Sequence, residues 1–315
     1  MSLRTQNLII TVVNLILAAI LVVILVQPGK EAGEIEVKVA TVLDPSSLPF
    51  WVAEEKGFFK DVGIKYKPNE VPKVLDEFEN TISGSLYASF GIDFTYMLMK
   101  TGGDMKLVRL MYYVKGNGDG IVVKDTTIKS VEDLAKKRIG YYQNTRHNVI
   151  LDAVLPSLLP KDTTDTTTSP VEIIGLSLDE LDVSLDTRRV DALYLTEPYL
   201  SYFRNREGYR IIAENVVFDD GVISGTGITS AVNVSLRKKA IERMKKALRM
   251  AMDYIEQHPD EAKKILANRL GMSMDIPNFT FPKDASEVEK FAKEIKERQL
   301  LPLEKLNLEN IVSEK

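Results

Sequence analysis

The sequence has no cysteine and only two histidines, and its basic residues do not outnumber its acidic ones. The missing cysteine excludes disulfides, iron–sulfur clusters, thiolate zinc sites, a cysteine nucleophile and a lipid-anchored N-terminal cysteine. His147 and His258 stand far apart in the chain, which nearly excludes a histidine metal site or acid–base constellation. Lys and Arg total 41 against 45 Asp and Glu, a net charge of -4, so no overall basic footprint for nucleic acid exists. Neither a cofactor nor a catalytic group is expected.

What is present is a chain of 315 residues, 44% hydrophobic, long enough for two compact lobes. One segment breaks the soluble pattern: from Leu8 to Val26 it reads LIITVVNLILAAILVVILV, with Arg4 ahead of it. Its 19 residues would reach roughly 28 Å as a helix, close to the hydrocarbon thickness of a bilayer. Lys30 and Glu31 spoil a small-x-small cleavage site after it, which favours an uncleaved anchor over a signal peptide. Under either reading the folded part lies outside the cytoplasm, and under the first it sits at the cell membrane on a single span.

Beyond a polar tether, strand-like stretches at 37–43, 64–67, 87–90, 106–114, 120–123, 138–142, 171–175, 192–195, 210–213 and 230–234 are predicted. Helix-like stretches at 50–59, 71–83, 93–100, 131–136, 148–158, 178–188 and 197–206 alternate with them, and a long helical region follows at 235–268. Such alternation is the pattern of α/β layers on largely parallel sheets. Two glycine-rich stretches, Gly116 to Gly120 and Asp219 to Gly227, read either as crossings between lobes or as ordinary surface loops. As crossings they divide the chain into an anchor and tether (1–34), a first lobe (35–117), a second lobe (118–218) and a return with C-terminal helices (219–315). In the long helical region Met244, Met250 and Met252 read either as an adaptable binding face or as part of a stripe that faces a core. Arg237, Lys238, Lys239, Arg243, Lys245 and Lys246 form a basic face, solvated or in contact with a partner.

Four segments carry a resemblance. Pro49-Phe-Trp-Val-Ala-Glu-Glu-Lys-Gly-Phe-Phe precedes a glycine turn and a second strand; Ile82-Ser-Gly-Ser-Leu-Tyr-Ala-Ser-Phe-Gly91 follows; then come Ser130-Val-Glu-Asp-Leu-Ala-Lys-Lys-Arg-Ile-Gly140 and Arg189-Val-Asp-Ala-Leu-Tyr-Leu-Thr-Glu-Pro198. In this order they resemble the solute-binding proteins of ABC importers for nitrate, sulfonates, taurine and thiamine precursors. Tyr87 stands where that family often has an aspartate, and Ala135 and Lys136 stand in place of its usual glycine and lysine. The resemblance implies a type II periplasmic-binding-protein fold, α/β, with two lobes of mixed sheet joined by a two-crossover hinge. It also implies a small organic solute held between the lobes, and a permease with its ATPase as partners.

Strand ends and helix N-termini face the cleft in such sheets, which nominates the site residues. Ser46 and Ser47 are ligand donors or helix caps. Gly91 and Asp93 border the cleft, Asp93 as cap or as ligand partner. Asn144, Thr145 and Arg146 follow Tyr142 at a strand-to-helix junction, where Arg146 pairs with an anion or faces solvent. Glu197, before Pro198, points a carboxylate at an amine or amidine, or complements a helix N-terminus. Trp51, Tyr142 and Tyr194 stack on a flat ligand or fill the lobe cores. The acids Asp44, Asp93 and Glu197 tilt the ligand towards a cationic or amidine-like group.

The enzyme alternatives on this fold are a thiamine-pyrimidine synthase and a menaquinone-pathway enzyme. The first is marked by a cysteine-rich motif that this sequence lacks, and neither is expected behind an export segment. A sensory ectodomain would call for a second apolar run or an output domain. The sequons at Asn233 and Asn278 permit glycosylation in some hosts.

Overall fold

The computed structural model describes residues 33–68, 74–116, 119–142, 151, 171–196, 199–218, 221–271, 280–282 and 284–312. Its strands are β1 (Ile35–Thr41), β2 (Ile64–Pro68), β3 (Ala88–Ile92), β4 (Val108–Gly116), β5 (Asp119–Val123), β6 (Arg138–Tyr142), β7 (Glu172–Leu176), β8 (Ala192–Thr196), β9 (Arg210–Glu214) and β10 (Val222–Ser230). Its helices are α1 (Leu48–Glu55), α2 (Phe58–Asp61), α3 (Val74–Ile82), α4 (Phe94–Thr101), α5 (Leu178–Ser184), α6 (Tyr199–Arg204), α7 (Ala231–Leu236), α8 (Lys238–Gln257), α9 (Pro259–Leu270) and α10 (Ser286–Glu297).

The strands form two five-stranded sheets, ordered β2-β1-β3-β10-β4 and β7-β6-β8-β5-β9. Each sheet has two parallel pairings followed by two antiparallel ones. The strand in fourth place, β10 or β5, has in each case just arrived from the other sheet. The chain therefore crosses twice, from β4 to β5 and from β9 to β10, and the fold is the two-lobed, mixed-sheet α/β architecture with a two-crossover hinge.

Burial explains the sequence pattern. The inner strands β3, β5 and β8 are covered along their whole length, so they read as apolar runs rather than alternating ones. In α8, Ile241, Met244, Leu248 and Ile255 recur at helical spacing and pack with Trp51, Phe50 and Phe90 on one face of the first sheet. The methionine stripe is thus core, with Met244 fully buried and Met250 and Met252 packed at its margin. The other face of the first sheet opens into a core that continues through the hinge, from Ile92 and Phe94 by way of Val222 and Phe218 to Ile121 and Tyr194. The outer edge of β4 is bridged by the C-terminal chain, with Asp104 beside Asn307 and Leu110 beside Val312, which removes an open sheet edge.

The structure differs in the strand that follows the second crossing. A strand is expected at 230–234 after a glycine-rich loop at 219–227, yet β10 runs Val222–Ser230 and α7 starts at Ala231. Ser230 ends the strand by capping the helix, its Oγ accepting from the Asn233 amide at 3.2 Å. The glycines lie inside β10 because neighbouring side chains fill their Cβ space: a Cβ would sit 2.0 Å from Ser46 Oγ at Gly225 and 2.3 Å from the Tyr112 ring at Gly227. The helical region at 235–268 is likewise broken, at Arg237 and at His258 before Pro259, and residues 131–134 form a 3-10 turn. The loop at 161–169 and all but Leu151 of the helix expected at 148–158 lie outside the described residues.

Candidate functional site

β1 and β3 are parallel, so the segments that follow them reach the same end of the first sheet. After β1 the chain turns through Asp44, whose carboxylate accepts from the Ser46 amide at 2.9 Å and from Ser46 Oγ at 2.5 Å. Ser47 Oγ donates to the Val42 carbonyl at 2.7 Å, and Tyr112 Oη donates to the Ser46 carbonyl at 2.8 Å. Gly91, at φ 81°, completes the seat: a Cβ there would lie 2.3 Å from Ser47 Oγ. Both serines are buried, and their hydroxyl protons are engaged inside the loop.

Asp93 caps α4, accepting from the Tyr96 amide at 2.8 Å. On the other lobe, Tyr142 ends β6 and meets Tyr199 edge-on, with ring centroids 5.6 Å apart. Burial pushes both phenols up, and the nearby Asp44 carboxylate raises each further. Tyr112 is also raised well above the ordinary phenol value, by complete burial first and by Asp44 second. One carboxylate of the first lobe is therefore within electrostatic reach of two phenols of the second, and this marks the place where the lobes face each other.

The three predicted stacking rings separate. Tyr142 is half-buried at the lobe junction. Trp51 lies in the core under α8, 1% exposed. Tyr194 is also 1% exposed and donates its hydroxyl to the Asp119 carboxylate. Both buried rings satisfy the packing of the lobes, the alternative role for an aromatic in a half-apolar strand or helix. Asn144, Thr145, Arg146 and Glu197 lie outside the described residues, as does the apolar run 8–26. Among the described residues no helix is long and apolar enough to cross a membrane.

Sequence reasoning missed Tyr112, Tyr199 and Asp119. Tyr112 sits within an apolar strand, and only its cross-sheet partner Gly227 signals that a ring needs space there. Asp119 opens β5 directly after the first crossing and is fully buried. It accepts from Tyr194 Oη and from the Val217 amide at 3.1 Å, while its own carbonyl accepts from the Asn215 amide at 2.7 Å. Burial raises its carboxyl pKa against the lowering effect of these donors. This carboxylate thus ties the first crossing to the second.

A family profile described as NMT1/THI5 like matches residues 44–262. The chain belongs to the NMT1/THI5-like family. The match runs from Asp44 through both crossings to α9, so it spans both lobes. A protein of Haemophilus influenzae named for thiamine biosynthesis is 24% identical to this NMT1/THI5-like chain over 251 residues, 76% of this chain and 74% of the relative. The fold matches the periplasmic aliphatic sulphonate binding protein of Escherichia coli, with a TM-score of 0.65, 15% identity, and coverage of 89% of this chain and 98% of that one. It also matches the desulfurization enzyme DSZB, with a TM-score of 0.64, 18% identity, and coverage of 89% and 97%. At these identities the structural likeness establishes the fold.

A separate cavity of about 390 Å³ lies on the outer side of the first lobe, lined by Met111, Tyr113, Lys245, Arg249, Met252 and Phe281 among others. It is not the interlobe site, because its walls come from β4, α8 and the C-terminal chain and none come from the second lobe. Asn233, a sequon asparagine, is buried, with Nδ2 donating to the Leu86 carbonyl at 2.8 Å, so in the folded chain it offers no acceptor for a glycan.

Proposed function

We propose that this protein is the extracytoplasmic solute-binding component of an ABC importer and captures a small organic solute between its lobes. The site residues of this reading are Ser46, Ser47, Gly91 and Asp93 on the first lobe, and Tyr142, Asn144, Thr145, Arg146 and Glu197 on the second. Asp44 and Tyr199 join them, while Trp51 and Tyr194 shape the lobes from within. The lobes divide at 117/118 and 218/219, and residues 1–34 form the anchor and tether that hold the protein to the outer face of the membrane. Closure of one lobe on the other buries the solute and creates the surface that a permease distinguishes.

What supports the ligand class is the Asp44 carboxylate, turned in beside Ser46 at the end of β1, whose charge raises the Tyr142 and Tyr199 phenols of the other lobe. An acid facing phenols suits a flat solute with a cationic or amidine-like edge for the carboxylate and acceptors for the hydroxyls. A thiamine precursor has this character more than a simple sulfonate does, and the relative named for thiamine biosynthesis supports the same choice. Thermal-shift screening of aminopyrimidines, taurine, alkanesulfonates and nitrate tests it, since a bound solute stabilises by RT ln(1 + [L]/Kd). An aminopyrimidine is expected to raise Tm and to be recovered unchanged. Conversion of any of these compounds by the protein alone would sink the binding reading in favour of an enzyme on the same fold.

A further inference from the structure

The end of the first lobe opposite the cleft is built for a second kind of contact. β10 is antiparallel to β3 and so runs away from the cleft, ending at Ser230, which pairs with Val108 at the start of β4. Leu107, α7 and the first turn of α8 therefore lie together at this end, linked by the Ala231 amide donating to the Leu107 carbonyl at 2.9 Å. Three large apolar side chains are exposed here: Leu236 at 77%, Leu107 at 44% and Val232 at 41%. Exposed beside them are Lys238 and Lys239, and Arg237 packs over Tyr87 at 4.2 Å.

The charge here runs against the rest of the molecule. The protein as a whole is acidic, yet between Leu236 and Lys246 the only acid is Glu242, against the exposed Lys238, Lys239 and Lys246 and the half-buried Arg237. Glu242 approaches Lys238 no closer than 3.8 Å, and Asp104 stands 3.8 Å from Lys106 at the margin. Glu36, at the start of β1, is taken up by Lys67 at 2.6 Å. A mixed apolar and cationic face of this kind is what an anionic interface recognises.

The N-terminal chain arrives at the same end. The Gly33 carbonyl accepts from Arg243 Nη1 at 2.8 Å, and Arg243 lies five residues along α8 from Lys238, about 7.5 Å of helix rise. Residues 27–32 separate Gly33 from the apolar run 8–26, and six residues span at most about 22 Å even when fully extended. A run seated in a bilayer would thus hold this basic, apolar end beside the surface of that same bilayer.

We infer that the end formed by Leu107, Val232, Leu236, Lys238 and Lys239 docks on the anionic lipid surface of the membrane that carries residues 8–26. This rests on the anchored reading given above. Docking parks the first lobe against the bilayer between rounds of delivery, and it weakens with salt because its cations are exposed.

The absence of cysteine makes the test direct, since one introduced thiol takes one label. Full-length protein carrying an environment-sensitive fluorophore at Leu236→Cys is reconstituted in phosphatidylcholine vesicles with or without phosphatidylglycerol, using brominated lipids as quenchers. Val183→Cys, on α5 of the second lobe and 49% exposed, is the control position. The label at 236 is expected to be quenched in the anionic vesicles and the label at 183 to stay unquenched. Adding Lys238→Gln and Lys239→Gln is expected to lower the docked-to-free ratio about 25-fold, about fivefold per cation. Quenching at 236 that ignores lipid charge and these substitutions overturns the electrostatic contact. A protein that stays with the vesicles while position 236 remains in water overturns the docking alone. A protein that leaves the vesicles altogether overturns the anchored reading and the docking with it.

Discussion

Tyr194 on β8 donates its hydroxyl to the buried carboxylate of Asp119, the first residue of β5, and so pins the end of the first hinge crossing to the second lobe. The Val217 amide on the other crossing reaches the same carboxylate at 3.1 Å. Asp119→Ala leaves a buried hydroxyl and a buried amide without their acceptor and is expected to cost about 1–3 kcal/mol in a denaturant titration. Asp119→Asn keeps an acceptor and should cost less. The raised carboxyl pKa sets the sign of the pH effect. Its contribution to stability is complete below the unfolded value and is lost as pH rises through the folded one, so the Asn variant should show a flatter stability profile above about pH 4.

Asp44→Asn is expected to keep the fold and lose affinity for a cationic solute by about tenfold to a hundredfold, the worth of a charge-assisted hydrogen bond. The Asn side chain can still accept from the Ser46 amide, now met at 2.9 Å, so Tm without solute should move little. Calorimetric titration of wild type and variant with the same solute decides it. Equal affinities would remove Asp44 from the site.

Gly91→Ala meets two obstacles at once: a left-handed φ of 81° and Ser47 Oγ at 2.3 Å from the new Cβ. A loss of about 1–3 kcal/mol is expected, together with weakened solute binding as the Ser46–Ser47 loop is pushed aside.

Lys136 occupies the left-handed region at φ 62°, a conformation that glycine adopts without strain. Lys136→Gly removes a strain of about 1–2 kcal/mol against a glycine entropy cost of about 0.5–1 kcal/mol, so a small rise in Tm is expected. A fall in Tm would mean that the lysine side chain contributes something its exposure does not suggest.

Glu77 on α3 is 3% exposed, and its Oε2 has no hydrogen-bond partner among the described residues. Burial first, and the charge of Asp76 second, push its carboxyl pKa up to about 7. The unfolded chain titrates this group near about 4.3, so stability should fall as pH rises towards 7 and above. Glu77→Gln is expected to raise Tm at pH values above 7 and to change it little at acid pH, read by thermal melts across that range.

Much of this protein is set locally and is legible without coordinates. Inner strands such as Ala192–Thr196 announce themselves as apolar runs, α8 by its helical stripe, and the segment from Pro49 to Phe59 by its family pattern. These features depend on periodicity and on short-range order, which one residue's neighbours in the chain already specify. The two glycine clusters read equally as crossings or as surface loops, and most of the second proved to be a strand that needs its glycines for Ser46 and Tyr112.

Only the tertiary structure decided which polar groups meet. Asp44 and Tyr199 are 155 residues apart, and nothing local to either states that the lobes bring them together. Tyr194 and Trp51 read in the chain either as stacking rings or as core, and the fold buries both, because burial depends on which face of a sheet or helix a distant element covers. Composition alone ruled out thiol chemistry and gave little room to histidine chemistry, since chemistry needs its atoms present. The family pattern then pointed to a two-lobed binding fold. That the Asp44 charge reaches the Tyr142 and Tyr199 phenols came from packing, which acts over distances that sequence order does not measure.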